Sequence, residues 1–340
     1  MRYRFLGGTG VRVSELALGT NTFGSGMGSI SGVDESGARD IVHAALEGGV
    51  NFFDTADVYS DGTAERYLGS ALRGKRDDVV IATKGGAPAG QGVNESGSSR
   101  AHIMRRLETS LANLGIDYVD LYYLHFYDPF AEADEVAATL DSVIASGKAR
   151  FAAVSNYPAW ELVRLRETSQ RHRFPLPVAY QGLWNLLARE VEDEIVPACR
   201  HYGLGFVAWA PLAGGLLTGK YVTQGSRPEG ARYSDAASPE TQFLGIEQER
   251  ADDLIEVIGE IARAHDASIA QVALAWQLSR SWLTSAIIGA RKPDQLTDNL
   301  RASKLRLDVD DVRRLDEAAP RRRVWPLWHL EQVLADRTGE

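Results

Sequence analysis

Eight short runs of mostly apolar, β-type residues recur along the chain and alternate with longer segments of helical periodicity. One such segment, "RAHIMRRLETSLANLG", repeats apolar residues at Ile103, Leu107, Leu111 and Leu114. Parallel strands need helical crossovers, and strands buried on both faces are apolar throughout, so the alternation predicts an α/β fold of the (β/α)8 class, a TIM barrel. The predicted strands cover residues 15–19, 51–54, 79–84, 119–125, 149–155, 178–181, 205–210 and 285–289.

A doubly wound parallel sheet would show a similar alternation, but its G-x-G-x-x-G fingerprint is missing after the first predicted strand.

Two segments lie outside the regular pattern. "RYRFLGGTGVRVSEL" predicts an N-terminal β-hairpin that closes the bottom of the barrel, and the stretch after strand seven, with "TGKYVTQGSRPEGARYSDAASPE", predicts a long functional loop. No linker or internal repeat appears, so residues 1–340 are expected to form a single domain.

Composition excludes several classes of protein. The net charge of −9 argues against a nucleic-acid or anionic-membrane partner, because such proteins usually present a basic face. The single cysteine, Cys199, excludes an intramolecular disulfide and a thiolate zinc site, and we expect no metal. No signal-type or membrane-spanning apolar run occurs, so the sequence predicts a cytoplasmic protein with no membrane partner.

Polar residues at the carboxyl ends of the predicted strands define a candidate site. In a (β/α)8 barrel these ends meet on one face, which brings Asp54, Tyr59, Lys84 and His125 together. An ammonium near a phenol favours the phenolate, Asp54 would hold Lys84 charged, and His125 could hydrogen-bond the phenol or a substrate oxygen. This set suits protonation of an oxygen that becomes an alkoxide, and so carbonyl reduction opposite a hydride donor. Other strand ends carry Ser155, Asn156, Gln181 and Trp209.

Each of these residues also has a structural interpretation. Asp54 alone fits a helix cap or a turn equally well, Lys84 fits a solvated charge, and a lone histidine such as His125 is more often structural than catalytic. Four residue types with one coherent chemical role at successive strand ends favour the catalytic interpretation. Asp57 and Asp61, in the same stretch "NFFDTADVYSDG", are expected to be ordinary turn carboxylates.

At these motifs the chain resembles the aldo-keto reductases, in particular the branch with bacterial sugar and aryl-aldehyde reductases and potassium-channel beta subunits. The resemblance rests on "GVNFFDTADVYSDGTAERYLG", "ATK", "DYVDLYYLH", "AVSNY" and "APLAGGLLTGKY". It implies that Asp54, Tyr59, Lys84 and His125 form the catalytic tetrad, with Tyr59 as the proton donor and Lys84 lowering its pKa. The beta subunits carry Asn at the position of His125, so the resemblance implies a catalytically competent chain.

The resemblance further implies that NADPH/NADP+ is the cofactor, bound in extended form across the C-terminal face of the barrel. Ser155, Asn156 and Gln181 match residues that hold the nicotinamide carboxamide, and Trp209 matches an aromatic ring that stacks on the nicotinamide. Ala210 stands where Ser is more common in the family. The other positions implied to contact the cofactor are Gly19, Thr20, Asn21, Pro211, Leu212, Gly214, Gly289, Gln295 and Asn299.

A glycine-rich segment, "GGLLTGKY", nearly matches the P-loop pattern G-x-x-x-x-G-K-[ST]. Tyr221 replaces the hydroxyl that would bind Mg²⁺, and no strand leads directly into the segment, so nucleotide hydrolysis is excluded. Its glycine backbone and Lys220 still suit a phosphate cradle, as in the family's pyrophosphate clamp. By resemblance Arg232 and Arg291 flank the adenosine 2′-phosphate, which favours NADPH over NADH.

The expected reaction is NADPH-dependent reduction of an aldehyde or ketone, such as a sugar or aryl carbonyl, to the alcohol. The alternative is a cofactor-binding regulatory subunit with little turnover, like the channel beta proteins, against which His125 argues. Substrate identity and the formation of a homo-oligomer are left open by the sequence. Candidate residues of the acceptor pocket, beside Tyr59 and His125, are Phe23, Phe126, Tyr157 and Trp184.

Overall fold

The centre of the molecule is a closed barrel of eight parallel strands, seen in a computed structural model that describes residues 1–28, 30–221, 248–321 and 324–338. In chain order the strands are β1 (Tyr3–Phe5), β2 (Arg12–Ser14), β3 (Leu16–Gly19), β4 (Phe52–Asp54), β5 (Val80–Gly85), β6 (Val119–Leu124), β7 (Ala149–Ser155), β8 (Ala179–Leu183), β9 (Gly205–Trp209) and β10 (Leu283–Ile288). Strands β3 to β10 pair in sequence order, and β10 closes against β3. The predicted TIM barrel is confirmed, and closure of the sheet rules out the doubly wound alternative.

Helices follow the barrel strands and surround the sheet. Those described are α1 (Glu35–Glu47), α2 (Thr63–Ala71), α3 (Arg100–Leu114), α4 (Ala133–Ala145), α5 (Ala159–His172), α6 (Ile195–Tyr202), α7 (Gln248–Ala264), α8 (Ile269–Leu278), α9 (Pro293–Arg301), α10 (Val309–Ala318) and α11 (Leu327–Thr338). In α3 the Ser99 side chain accepts from the first-turn N–H of His102, Gly115 ends the helix at φ 65°, and Ile103 and Leu107 face the core. Among the described helices, none combines the length and apolarity that a bilayer crossing requires.

Apolar side chains fill the interior of the barrel. Phe52, Leu121 and Val207, from three different strands, belong to one buried cluster inside the ring. Phe53 and Tyr122, the residues next to them along the chain, belong to a second cluster shared with the helices, because successive side chains of a strand point to opposite faces. Beyond this core, buried polar side chains such as Asp54 and Lys84 lie at or next to the carboxyl ends of their strands.

The predicted N-terminal hairpin is confirmed. Its strands β1 and β2 pair antiparallel, and Leu6 and Val13 pack into the cluster inside the barrel. The guanidinium of Arg4 donates hydrogen bonds to backbone carbonyls at and just before the start of β10. The hairpin therefore closes the amino-terminal end of the barrel, opposite the end where the catalytic candidates lie.

The long loop predicted after the seventh barrel strand falls largely outside the described residues. Before the gap, Ala213–Thr218 forms a 3-10 segment directly after β9. After the gap, the chain continues as α7 and α8, which pack against each other and lead into β10.

Helices α2 and α3 pack tightly at Gly69, where an added Cβ would lie 2.1 Å from the carbonyl oxygen of Leu114. We expect Gly69→Ala to lower the free energy of unfolding by about 1–3 kcal/mol, because the packed backbones must move apart. Chemical denaturation measures the loss. Gly8→Ala is the matched control, since a Cβ there meets nothing within 4 Å. Equal midpoints for the two variants would show that the helices do not pack this closely.

Candidate active site

Four side chains predicted from strand ends meet at the mouth of the barrel. Asp54 ends β4, Lys84 is the penultimate residue of β5, His125 follows β6, and Tyr59 lies in the loop after β4. The Lys84 ammonium donates to Asp54 Oδ1 at 2.5 Å and to the Thr55 carbonyl oxygen at 2.9 Å. It lies 3.4 Å from the Tyr59 hydroxyl oxygen. The structure thus brings residues from three successive barrel strands and one loop into a single cluster.

Burial and charge act in opposite directions on this cluster. Burial by itself lowers the pKa of Lys84, but Asp54 and Tyr59 outweigh it, so the pKa of the ammonium lies above its usual value. Burial raises the pKa of Tyr59, and the Lys84 charge opposes that rise without cancelling it. The sequence predicted that Lys84 lowers the Tyr59 pKa; its effect has that sign, but the net shift is upward. At neutral pH Tyr59 therefore carries its proton.

The His125 ring lies edge to face with the Tyr59 ring, at 6.0 Å between centroids, and is only 8% exposed. Burial lowers the pKa of His125 to about 3, and the Lys84 charge adds to that shift, so the imidazole is neutral at physiological pH. Phe126 stacks on it at 4.5 Å between ring centroids, with 7° between the planes. Within the described part of the chain its Nδ1 has no hydrogen-bond partner. A neutral ring with an unused nitrogen can contact a polar ligand atom.

The residues predicted to hold the nicotinamide form a hydrogen-bonded wall beside the cluster. Gln181 donates from Nε2 to Asp54 Oδ2 at 2.8 Å. Asn156 donates to Ser155 Oγ at 3.0 Å and accepts at 3.0 Å from the indole N–H of Trp209. These side-chain bonds link β4 to β8 and β7 to β9, and the Asn156 backbone N–H joins the two pairs by donating to the Gln181 carbonyl oxygen at 3.1 Å. The wall adjoins the Tyr59 and Lys84 cluster through the Asp54 carboxylate.

Of the basic residues predicted to contact the cofactor phosphates, Lys220 and Arg291 lie within the described part of the chain. Gly215 has a φ of 106°, a conformation that favours glycine, and the Lys220 Nζ atom lies 3.0 Å from where a Cβ would be. The Arg291 N–H donates to Gln295 Oε1 at 3.0 Å, and its guanidinium donates to the Ile30 carbonyl oxygen at 3.4 Å. Arg232 lies outside the described residues.

The other predicted cofactor residues lie on loops of the same face or at helix α9. Thr20 follows β3 and donates to the Asp54 carbonyl oxygen from both its N–H and its hydroxyl. Ala210 has a φ of 49°, a left-handed conformation, directly after β9. The remaining predicted positions are Gly19 at the end of β3, Asn21 after it, Pro211, Leu212 and Gly214 after β9, Gly289 after β10, and Asn299 in α9.

The predicted acceptor aromatics separate into two groups. Phe126 is 42% exposed and stacks on His125, so it is available to a ligand at the mouth. Phe23 and Trp184 are fully buried, and Trp184 stacks on Trp276 of α8 at 4.9 Å. Tyr157 is also buried and packs edge to face on Tyr127. These three side chains expose little or no surface, and their assignment to the acceptor pocket stays a prediction.

Asp57 was expected to be an ordinary turn carboxylate and is not. It is 1% exposed, and its Oδ2 accepts from Arg106 Nε at 2.6 Å. Burial raises its pKa to about 6, against the opposing effect of Arg106. The partner lies on α3, so no local sequence signal could have marked this carboxylate. Asp61 is exposed in a turn, as expected.

Fold and mouth together define a class of protein: a (β/α)8 barrel with a buried lysine–carboxylate pair, a tyrosine and a neutral histidine at the carboxyl ends of its strands. The family model described as the aldo/keto reductase family matches residues 15–320, and the chain belongs to that family. The resemblance read from the motifs is thereby confirmed.

Several named proteins are similar over most of their length. The chain is 37% identical to "Uncharacterized oxidoreductase YrpG" of Bacillus subtilis, over 94% of this chain and 96% of that protein. It is 37% identical to "Probable voltage-gated potassium channel subunit beta" of Oryza sativa subsp. japonica, over 89% and 91%. It is 30% identical to "L-glyceraldehyde 3-phosphate reductase" of Escherichia coli O157:H7, over 93% and 92%. The family and two of these names support an oxidoreductase.

The buried ion pair generates a stability prediction. We expect Lys84→Met to lower the free energy of unfolding by about 3–5 kcal/mol, because it leaves the Asp54 carboxylate buried without its cation. The double variant Asp54→Asn/Lys84→Met should lose less than Lys84→Met alone, since no uncompensated charge remains.

Urea denaturation of both variants measures the difference, with Lys148→Met as the matched control. Lys148 pairs with Glu108 on the exterior, and its loss is expected to cost less than about 1 kcal/mol. A Lys84→Met protein as stable as the Lys148→Met protein would contradict a charged, buried pair.

Proposed function

We propose that this chain reduces an aldehyde or ketone to the alcohol with NADPH, and that Tyr59 donates the proton. The observation that carries the proposal is the 3.4 Å separation of Lys84 Nζ and the Tyr59 hydroxyl oxygen, with Lys84 held by Asp54. A phenol that is protonated at rest and touches a fixed cation can give up its proton when negative charge develops on a carbonyl oxygen.

His125 completes this arrangement. It is neutral, so it can donate a hydrogen bond to the carbonyl oxygen without adding a second cation beside Lys84. The ammonium and the imidazole together stabilise the developing alkoxide, while Asp54 and Gln181 keep Lys84 in place. When bound, the nicotinamide supplies the hydride.

The residues around the cluster fit an extended dinucleotide. The hydrogen-bonded wall of Asn156, Gln181 and Trp209 offers amide groups and an aromatic face at the proposed nicotinamide end. At the phosphate end, the glycine backbone near Gly215 lies against the Lys220 ammonium, and together they offer N–H groups and a positive charge to a phosphate. Both ends lie on the C-terminal face of the barrel.

The substrate class is proposed as a sugar or aryl carbonyl. Phe126 exposes an aromatic face next to His125, which suits a flat acceptor. One relative is named an L-glyceraldehyde 3-phosphate reductase and another a putative aryl-alcohol dehydrogenase. We also propose one domain over residues 1–340 and a cytoplasmic location, on the composition and the single cysteine.

A regulatory subunit with little turnover is the second candidate, favoured by the similarity to proteins named potassium-channel beta subunits. His125 argues against it, because the resemblance gives those subunits Asn at that position. A steady-state assay of NADPH oxidation with sugar and aryl aldehydes separates the two. Tight NADPH binding without turnover above background would favour the regulatory subunit.

We expect Tyr59→Phe to lower turnover by a factor of about 10²–10⁴, because the proton donor is lost while the aromatic ring stays. The NADPH dissociation constant, followed by fluorescence, should not change, since the hydroxyl is proposed to contact the carbonyl. Tyr202→Phe is the matched control: Tyr202 ends α6 at the opposite end of the barrel. Wild-type turnover in Tyr59→Phe would remove Tyr59 from the mechanism.

Cofactor choice depends on Arg291. We expect Arg291→Met to raise the KM for NADPH by about tenfold to a hundredfold, since a charge-assisted hydrogen bond contributes about 1.5–3 kcal/mol. The KM for NADH should change little, because NADH lacks the 2′-phosphate. Arg301→Met, at the end of α9, is the control. Equal effects on both cofactors would refute a role for Arg291 in recognising the phosphate.

A further inference from the structure

The loop that carries Tyr59 is held by an ion pair from outside the catalytic cluster. Arg106, on α3, donates from Nε to Asp57 Oδ2 at 2.6 Å and from a terminal nitrogen to the Asp57 carbonyl oxygen at 3.4 Å. The Asp57 N–H donates to the Lys84 carbonyl oxygen at 3.1 Å. Asp57 therefore ties the loop to α3 through its side chain and to β5 through its backbone, two residues before Tyr59.

Side chains from α3 and β6 pack closely around Gly85, at the end of β5. Gly85 follows Lys84, and a Cβ there would lie 2.1 Å from the Tyr122 hydroxyl and 3.3 Å from Arg106 Cβ. Only a glycine lets the Tyr122 hydroxyl lie this close to β5, and a side chain there would also crowd Arg106. Beyond Tyr59 the chain adopts left-handed conformations at Ser60 and Asp61, with φ of 47° and 52°. Such conformations persist only where surrounding contacts fix them.

The same pair acts electrostatically on the Tyr59 hydroxyl. The Asp57 carboxylate raises the pKa of Tyr59, on top of the larger effect of burial. Charged groups that face Asp57 are Arg106 from α3 and Glu65 from α2, and the Tyr122 phenol faces it from β6. Arg106 is the cation among these, and it offsets the carboxylate. The Asp57 Oδ1 atom has no hydrogen-bond partner within the described residues.

We propose that Asp57 and Arg106 are positioning residues: their ion pair fixes the Tyr59 loop and sets the electrostatic potential at the Tyr59 hydroxyl. Neither residue is proposed to touch the substrate. The kinetic part of this inference rests on the proposed carbonyl reduction, whereas the electrostatic part does not. Because Asp57 is a carboxylate only above about pH 6, the positioning effect is present above that pH and is lost as the pH falls through it.

The test uses the charge-neutral variants Asp57→Asn and Arg106→Gln in the full-length protein. Tyrosine labelled with ¹³C at Cζ reports the Tyr59 ionisation by NMR, with the resonance assigned by its loss in Tyr59→Phe. We expect Asp57→Asn to move the titration midpoint down by about one pH unit and Arg106→Gln to move it up, since charges at this range shift a pKa by about that much. The double variant should return toward the wild type.

Kinetics supply the second readout. In the NADPH-linked reduction, we expect kcat to fall about tenfold in each single variant and to recover in part in the double variant, with the KM for NADPH unchanged. The wild-type kcat should fall below about pH 6, and this acid limb should be absent in Asp57→Asn. Arg106→Lys, which keeps the charge, should retain most of the activity.

Two neighbours serve as matched controls. Asp61→Asn removes an exposed carboxylate from the same loop, and Arg105→Gln removes an exposed cation from the adjacent position of α3. Neither should move the Tyr59 midpoint. Midpoints that stay at the wild-type value, or shift in the same direction in Asp57→Asn and Arg106→Gln, would overturn the inference. A wild-type protein that reduces no carbonyl would overturn the proposed function alone, because the NMR titration still decides the pair.

Discussion

The ammonium of Lys84 is fully buried, and the arrangement of the barrel mouth depends on how its charge is compensated. A buried cation is tolerated only when paired and hydrogen-bonded, and here Asp54 and the Thr55 carbonyl meet that requirement. The same contacts fix the nitrogen 3.4 Å from the Tyr59 hydroxyl. The contacts that compensate the buried Lys84 charge therefore also hold it beside Tyr59, the proposed proton donor.

The two ends of the barrel differ in role: apolar packing closes the amino-terminal end, and the carboxyl-terminal end carries the polar site. The apolar cluster inside the ring and the hairpin beneath it close the amino-terminal end of the barrel. The carboxyl ends of the strands are then free to carry polar side chains, which satisfy one another across neighbouring strands, as Gln181 does with Asp54. Burial and the Lys84 charge keep His125 neutral, so the imidazole adds no second cation beside the Lys84 ammonium.

Local sequence patterns were enough to predict the barrel strands and the candidate residues at their ends. Strand 149–155 was predicted and is observed as Ala149–Ser155, because residues 151–154 form a continuous apolar run of the kind found in parallel barrel strands. The tetrad candidates followed from the rule that strand ends converge in a barrel. The sequence did not reveal burial that depends on a distant partner: Trp184 packs on Trp276, and Asp57 pairs with Arg106. The residues next to Trp184 or Asp57 in the sequence do not indicate which distant residue each will contact.

The sequence by itself determined the barrel, its hairpin and the family, since periodicity and short motifs are local properties of the chain. Only the tertiary structure decided the charge states: that Tyr59 is protonated, that His125 is neutral, and that Asp57 is buried against a cation from α3. The physical reason is that a pKa depends on desolvation and on charges within a few ångströms. Those distances exist only after residues far apart in the chain have been folded together.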